Sequence, residues 1–211
     1  IIKIGLPAGI QGMVFSVSNI LIQAAINSLG PDAMAASAAA FTIEINVYCF
    51  LNAFAQATTT FVSQNYGAGN MARCLMATKR GLMLALGSTM GMAALVLLLS
   101  QQLLGFFNPD VNVIALGTGR LWYIVAPEFL QVFIDVFSGA LRGYGYSLGP
   151  AILTLVGICG VRIIWLYSVF AVYSTYDVLM ACYSISWLVT GAMIVGLYLH
   201  YRGKILGANA K

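Results

Sequence analysis

Charge is what this sequence has least of. Of 211 residues, 10 are Lys or Arg and 6 are Asp or Glu, so that 8% are charged, against about a quarter in soluble domains. Histidine occurs once, as His200. With no histidine inside an apolar segment, an intramembrane serine protease would lack its general base. Cysteine occurs four times, as Cys49, Cys74, Cys159 and Cys182. None of these has metal-ligand spacing, and each reads as a small apolar packing residue. The P-loop pattern is missing, which argues against an ATPase and against an enzyme of that class in this chain. GAG at 67–69 and GYG at 143–145 read as glycine turns rather than phosphate cradles. Paired Asn-Pro-Ala loops of the water-channel kind are absent. The net charge of +4 is scattered over segment ends, which excludes a basic nucleic-acid face. Secretory and targeting signals are not visible, and the chain opens on Ile1, so an upstream part is expected.

What is present instead is apolar length. The chain is 61% hydrophobic with a mean hydropathy of +0.91. Six runs exceed the ~18 residues needed to cross a bilayer core, at roughly 5–28, 33–66, 71–105, 111–141, 147–173 and 177–201. Turn chemistry separates them: LGPD at 29–32, NYGAGN at 65–70, FFNPDVN at 106–112, RGYGYSLGP at 142–150 and YSTYD at 173–177. The runs are continuous rather than alternating, so they read as helices and not as barrel strands. An all-α integral membrane bundle of six spans is the expectation.

The basic residues orient that bundle. Lys3, Arg73, Lys79, Arg80, Arg142, Arg202, Lys204 and Lys211 fall on one side, and Asp32, Asp110 and Asp177 on the other. The positive-inside rule then places both ends in the cytoplasm. Arg120, near the outer end of the fourth run, reads equally as a residue that snorkels to the interface and as a functional one.

Polar residues inside the runs carry the chemistry. In APEFLQVFID at 126–135, Glu128, Gln131 and Asp135 share one helical face, which Arg142 extends to the cytoplasmic end. Pro127 is expected to kink the helix beside Glu128. The second run carries Glu44, with Tyr48, Asn52 and Thr59 on a compatible face, and the first carries Asn19, Gln23 and Asn27 at four-residue steps. Such stripes face the bundle interior or a wet cavity. The amides and hydroxyls read first as interhelical hydrogen bonds. For the carboxylates a function is expected, because each ionised one at the centre costs ~2.5–3.5 kcal/mol. A structural ion pair or gate formed by Arg142 or by Arg162, inside the fifth run, is the competing reading. A carboxyl at this depth can exchange a proton for a cationic ligand, which is the minimal chemistry of an antiporter. Tyr, Phe and Met read first as packing, and second as surfaces for flat cations.

Several stretches, in this order and spacing, resemble the multidrug and toxic compound extrusion transporters: GLPAGIQ at 5–11, INSLGPDAMAA at 26–36, FVSQNYGAGN at 61–70, and GALRGYGYSLGPAI at 139–152 continuing to VRIIW at 161–165. The resemblance covers essentially the whole chain and is to the second half of that family. It implies one six-helix lobe of a twelve-helix, two-lobe transporter, with the N-terminal lobe as partner. It also implies efflux of organic cations or amphiphilic drugs across a bacterial cell membrane by rocker-type alternating access, driven by H⁺ or Na⁺ with no other cofactor. In one branch the tenth helix has an acid three turns before the Arg of Leu-Arg-Gly; here Gln131 stands there, flanked by Glu128 and Asp135. That branch's acid in the seventh helix is replaced by Ser16 and Ser18, whereas Glu44 lies in the eighth, where some members carry a cavity acid. Glu128 is favoured as the cavity carboxylate, with Asp135 paired or nearer the closed cytoplasmic end. The alternatives are a flippase for lipid-linked precursors, which would want a more cationic cavity than Arg120, Arg142 and Arg162 supply, and a structural membrane subunit whose carboxylates are all ion-paired.

Overall fold

The computed structural model describes the backbone of residues 2–208 and the side chains of residues 13–203. Every described element is helical: α1 (Ile2–Ser28), α2 (Pro31–Gly67), α3 (Met71–Leu98), α4 (Ser100–Phe107), α5 (Val111–Val125) and α6 (Glu128–Gly143), then α7 (Leu148–Phe170) and α8 (Tyr176–Ala208). By length and composition α2, α3, the α5–α6 rod, α7 and the Tyr176–Gly203 part of α8 each suffice to cross a membrane, and Met13–Ser28 is a shorter apolar helix. Lys3, Lys204 and Lys211 lie outside the described side chains.

Helix starts follow local chemistry. Gly30 takes φ 102°, a left-handed value that glycine adopts without a steric cost, and so lets α2 begin directly at Pro31. Asn70 caps α3 by accepting from the Arg73 amide at 3.2 Å, and Asp110 caps α5 by accepting from the Asn112 amide at 2.8 Å. Asp32 and Asp177 fall in the first turns of α2 and α8, and Arg142 in the last turn of α6. The same charges that sort to opposite loops therefore also oppose the helix dipoles favourably.

Two of the expected spans are interrupted. The run at 71–105 is not one helix: the backbone bends at Leu99 (φ −100°, ψ 11°) and α4 departs from there. The polar Ser100-Gln101-Gln102 begins this short helix, so the chain turns where an apolar wall is no longer required. The run at 111–141 breaks at Pro127, which lacks the amide that would bond to the Tyr123 carbonyl. That carbonyl is instead satisfied by the Ser184 hydroxyl of α8, donating at 2.7 Å, in the way side chains of neighbouring helices re-satisfy a proline-freed carbonyl. The rod thus bends immediately before Glu128.

α2 and the α5–α6 rod form the centre, with α3 on one side and α8 on the other. The Ala-rich start of α2 buries Ala33, Ala36, Ala39 and Ala40. Further along, α6 approaches α2 at Gly139 and Gly143. A Cβ at Gly139 would lie 2.9 Å from the Ala55 carbonyl oxygen, and one at Gly143 would lie 2.8 Å from Val62 Cβ. GALRG is therefore a small-xxx-small contact that lets two backbones meet. Cys74, Cys159 and Cys182 are buried, but Cys49 is exposed, so the packing role expected for all four fails for Cys49. Its side chain faces outward because the inward face of α2 is already taken by Val47 and Leu51.

Gly139→Val should overpack this contact and cost about 1–3 kcal/mol. The expected outcome is a lower melting temperature and lower yield of the purified protein, with Gly87→Val, which meets nothing, as the neutral control.

Candidate functional site

The helices enclose a cavity of about 690 Å³ lined from α1, α2, α5, α6, α7 and α8. Asn19 and Gln23 of α1 line it, whereas Asn27 is exposed and accepts from Gln23 Nε2 at 2.9 Å. Glu44 and Tyr48 of α2 line it too. Asn52 does not reach the wall but donates to the Tyr48 hydroxyl at 3.2 Å. Thr59 donates back to its own helix, to the Ala55 carbonyl at 3.0 Å. From α6, Glu128 and Gln131 line the cavity and Asp135 does not. Asp135 accepts from Gln131 Nε2 at 3.4 Å, and the other amide atom, Gln131 Oε1, is buried without a partner.

The strongest electrostatic contact is between α2 and α5. Arg120 donates Nε to Glu44 Oε1 at 2.7 Å and a terminal nitrogen to Oε2 at 2.9 Å. The two residues are 4% and 8% exposed. This bidentate fork is the geometry that best compensates two desolvated charges. It overturns the snorkelling expectation for Arg120: the side chain turns inward because Glu44 lies across from it on α2. Arg120 also donates to the Met180 sulfur at 3.9 Å. Next to it the Ser37 and Tyr176 hydroxyls share a hydrogen bond at 2.7 Å, so one polar layer ties α2, α5 and α8. Glu44 is consequently an ion-pair partner within the cavity wall rather than an isolated carboxylate.

Glu128 differs. It is 4% exposed and sits at the first position of α6, yet among the described residues no hydrogen bond or ion pair holds it. Arg162 of α7 was expected to pair with a carboxylate. It instead stacks over the Tyr183 ring at 4.1 Å and donates Nε to Ser186 Oγ at 3.4 Å, because no acid stands opposite it on α8. Arg142, read as an ion-pair or gate residue, is exposed and, among the described residues, in no ion pair; its outward course leaves the GALRG face free to meet α2. His200 is exposed as well, against the Tyr201 ring at 5.6 Å.

The aromatic wall escaped the reading by residue type. Tyr183 lies between Arg120, at 5.8 Å, and Arg162, and Trp187 lines the cavity with it. Tyr176, Met180, Tyr183 and Trp187 recur at helical spacing, which marks one face of α8. Among the described residues no cluster of His, Cys, Asp or Glu is arranged to hold a metal ion.

The described helices form an all-α membrane bundle in which polar residues converge on a central cavity. The MatE family model matches residues 7–168, and the chain belongs to the MatE family. It is 30% identical over 163 residues to multidrug resistance protein PmpM of Pseudomonas aeruginosa, covering 76% of this chain and 34% of that protein. It is 25% identical over 163 residues to probable multidrug resistance protein NorM of Thermotoga maritima, covering 77% and 35%. The chain thus spans about a third of the length of these relatives. The fold matches a solved MOP superfamily transporter from Pyrococcus furiosus with a TM-score of 0.81 at 22% identity, over 92% of this chain and 43% of that one.

Removing one member of the buried pair strands the other charge, which costs about 3–5 kcal/mol. Glu44→Gln should therefore lower the melting temperature of the purified protein sharply. Glu44→Leu combined with Arg120→Met should recover most of the loss. A double variant as unstable as the single one would show that the pair is not the cause.

Proposed function

We propose that this chain is the C-terminal lobe of a multidrug efflux transporter, with both its ends on the cytoplasmic side of a bacterial cell membrane. The substrates are amphiphilic drugs and organic cations, and transport is cation-coupled antiport by alternating access between this lobe and an N-terminal partner lobe. The names of the relatives in Pseudomonas aeruginosa and Thermotoga maritima support drug efflux. H⁺ or Na⁺ is the coupling ion, with no other cofactor and no catalysed reaction.

Glu128 carries this reading. It is a buried carboxylate at a helix break, directed into the cavity and held by no cation among the described residues. Such a group can hold either a coupling ion or a cationic substrate, and the exchange between the two is the antiport step. Glu44 cannot alternate so freely, since both of its oxygens are engaged by Arg120. Asp135 lies off the cavity, behind Gln131, and serves to orient the amide. Phe15, Phe41 and Trp187 on the wall offer apolar faces for flat ligands.

The same pair weighs against a lipid-linked precursor flippase. Glu44 neutralises Arg120, so the cavity is not the cationic one that a pyrophosphate would want. A purely structural subunit is disfavoured because Glu128 has no ion-pair partner among the described residues.

In the complete transporter, Glu128→Gln should abolish resistance of a drug-sensitive bacterial host to cationic dyes while membrane expression persists. Asp135→Asn should retain most of it. Resistance at the wild-type level in Glu128→Gln would overturn the assignment.

A further inference from the structure

α3 contributes no residue to the cavity wall, and its outer surface carries a pattern that efflux does not use. Arg73, Met76, Arg80, Met83 and Leu84 are all exposed. They recur at three- and four-residue steps, which puts them on one helical face. Lys79 adjoins that face and is exposed as well. The opposite face, with Cys74, Thr78, Ala85 and Thr89, is buried against α2 and α6. The outer face is thus basic over its first three turns and apolar beyond them.

The length of α3 sets the depth of these charges. Leu98, its last residue, is 80% exposed, and the polar Ser100-Gln101-Gln102 follows, so one edge of the hydrocarbon core lies there. A core of ~30 Å takes about 20 helical residues. Counting back from Leu98 brings the other edge to Lys79 and Arg80. Tyrosines mark the headgroup region beyond it, as they do at membrane interfaces: Tyr66 packs edge-on against Tyr144 at 5.5 Å, and Tyr146 against Tyr201 at 4.2 Å. Lys79 and Arg80 therefore stand at the depth of lipid phosphates, with Arg73 two turns further out.

No carboxylate of the chain neutralises them. Asp32, Asp110 and Asp177 lie at the starts of α2, α5 and α8, Glu44 and Glu128 line the cavity, and Asp135 lies behind Gln131. Among the described residues none of the three cations is in an ion pair. Their own helix opposes them too, because the N-terminal end of its dipole is positive. α2, α6 and α8 each carry an acid in the first turn, whereas α3 has none there and carries Arg73 instead.

We propose that this face of α3 is a binding site for an anionic phospholipid, with the phosphate on Arg80 and Lys79, the headgroup reaching Arg73, and the acyl chains along Met83 and Leu84. Arg80 offers a planar fork that matches phosphate, and Lys79 adds a second charge. A zwitterionic phospholipid brings an ammonium group that these cations repel. A second copy of the chain would bring a like-charged face, so lipid is the complementary occupant. The site lies off the cavity, and it holds or fails independently of the efflux reading.

The test titrates the complete protein, purified in detergent, with phosphatidylglycerol or with phosphatidylcholine of the same acyl chains, and counts bound lipid by native mass spectrometry. The wild type should bind phosphatidylglycerol at least tenfold more tightly. Each cation near the membrane surface is worth about fivefold. Arg80→Gln should therefore weaken phosphatidylglycerol about fivefold, and Lys79→Gln with Arg80→Gln about 25-fold, with phosphatidylcholine unchanged. Arg80→Lys, which keeps the charge, should retain most of the preference and controls for folding. Arg202→Gln removes one exposed charge from α8 instead and should change neither lipid. Equal affinity of the wild type for the two lipids, or an equal loss in Arg202→Gln and Arg80→Gln, would overturn the proposal. So would a dimer mass that disappears in the Lys79→Gln, Arg80→Gln double variant, since a second copy would then occupy the face.

Discussion

The Glu44–Arg120 ion pair is the contact on which the remainder of the lobe is arranged. A bilayer offers neither charge a solvent, so each must find the other or distort the membrane to reach water. Satisfying both oxygens of Glu44 with one guanidinium fixes the rotation of α2 against α5. That in turn sets which face of α2 meets α3 and which lines the cavity. The shared hydrogen bond of Ser37 and Tyr176 and the Met180 contact extend the same layer to α8. Three helices are thereby held at one depth by polar contacts, where apolar packing alone would permit sliding.

Below this layer the cavity is shaped by breaks in regular helix. Pro127 removes an amide, Ser184 caps the freed carbonyl, and the chain bends so that α6 starts with Glu128 facing inward. In α7 two π-helical segments flank Arg162. In both cases an unusual backbone places on the cavity wall a charge with no ion pair among the described residues. Close contact at Gly139 and Gly143 supplies the opposing rigidity, because α6 cannot move from α2 without separating two backbones in contact.

The class of the protein was legible because its signals are one-dimensional. Apolar run length, turn residues and the sorting of Arg and Asp between alternate loops depend only on distance along the chain. So does the face shared by Glu128, Gln131 and Asp135, since helical periodicity fixes it before any partner is known. The bend at Pro127 follows likewise from one missing amide. The limits of the runs were less legible: the polar Ser100-Gln101-Gln102 lies inside a run that still favours helix, and the packing of α4 beside α5 turns that local signal into a bend at Leu99.

The pairing of charges belonged to the tertiary structure. Glu44 and Arg120 are 76 residues apart, and nothing local distinguishes an arginine that snorkels outward from one that turns inward to a carboxylate. Arg162 and Arg142 show the same point from opposite sides. One of them is buried on Tyr183 and the other exposed, although both stand in apolar surroundings in the sequence. Periodicity assigns a residue to a face, whereas the helix opposite that face decides whether its charge is cancelled or left free. The sequence by itself therefore determined that several charges had to be accommodated inside a membrane bundle. The packing of α2 against α5, and of α7 against α8, decided that Glu44 and Arg120 neutralise each other while Glu128 and Arg162 line the cavity with no ion-pair partner among the described residues.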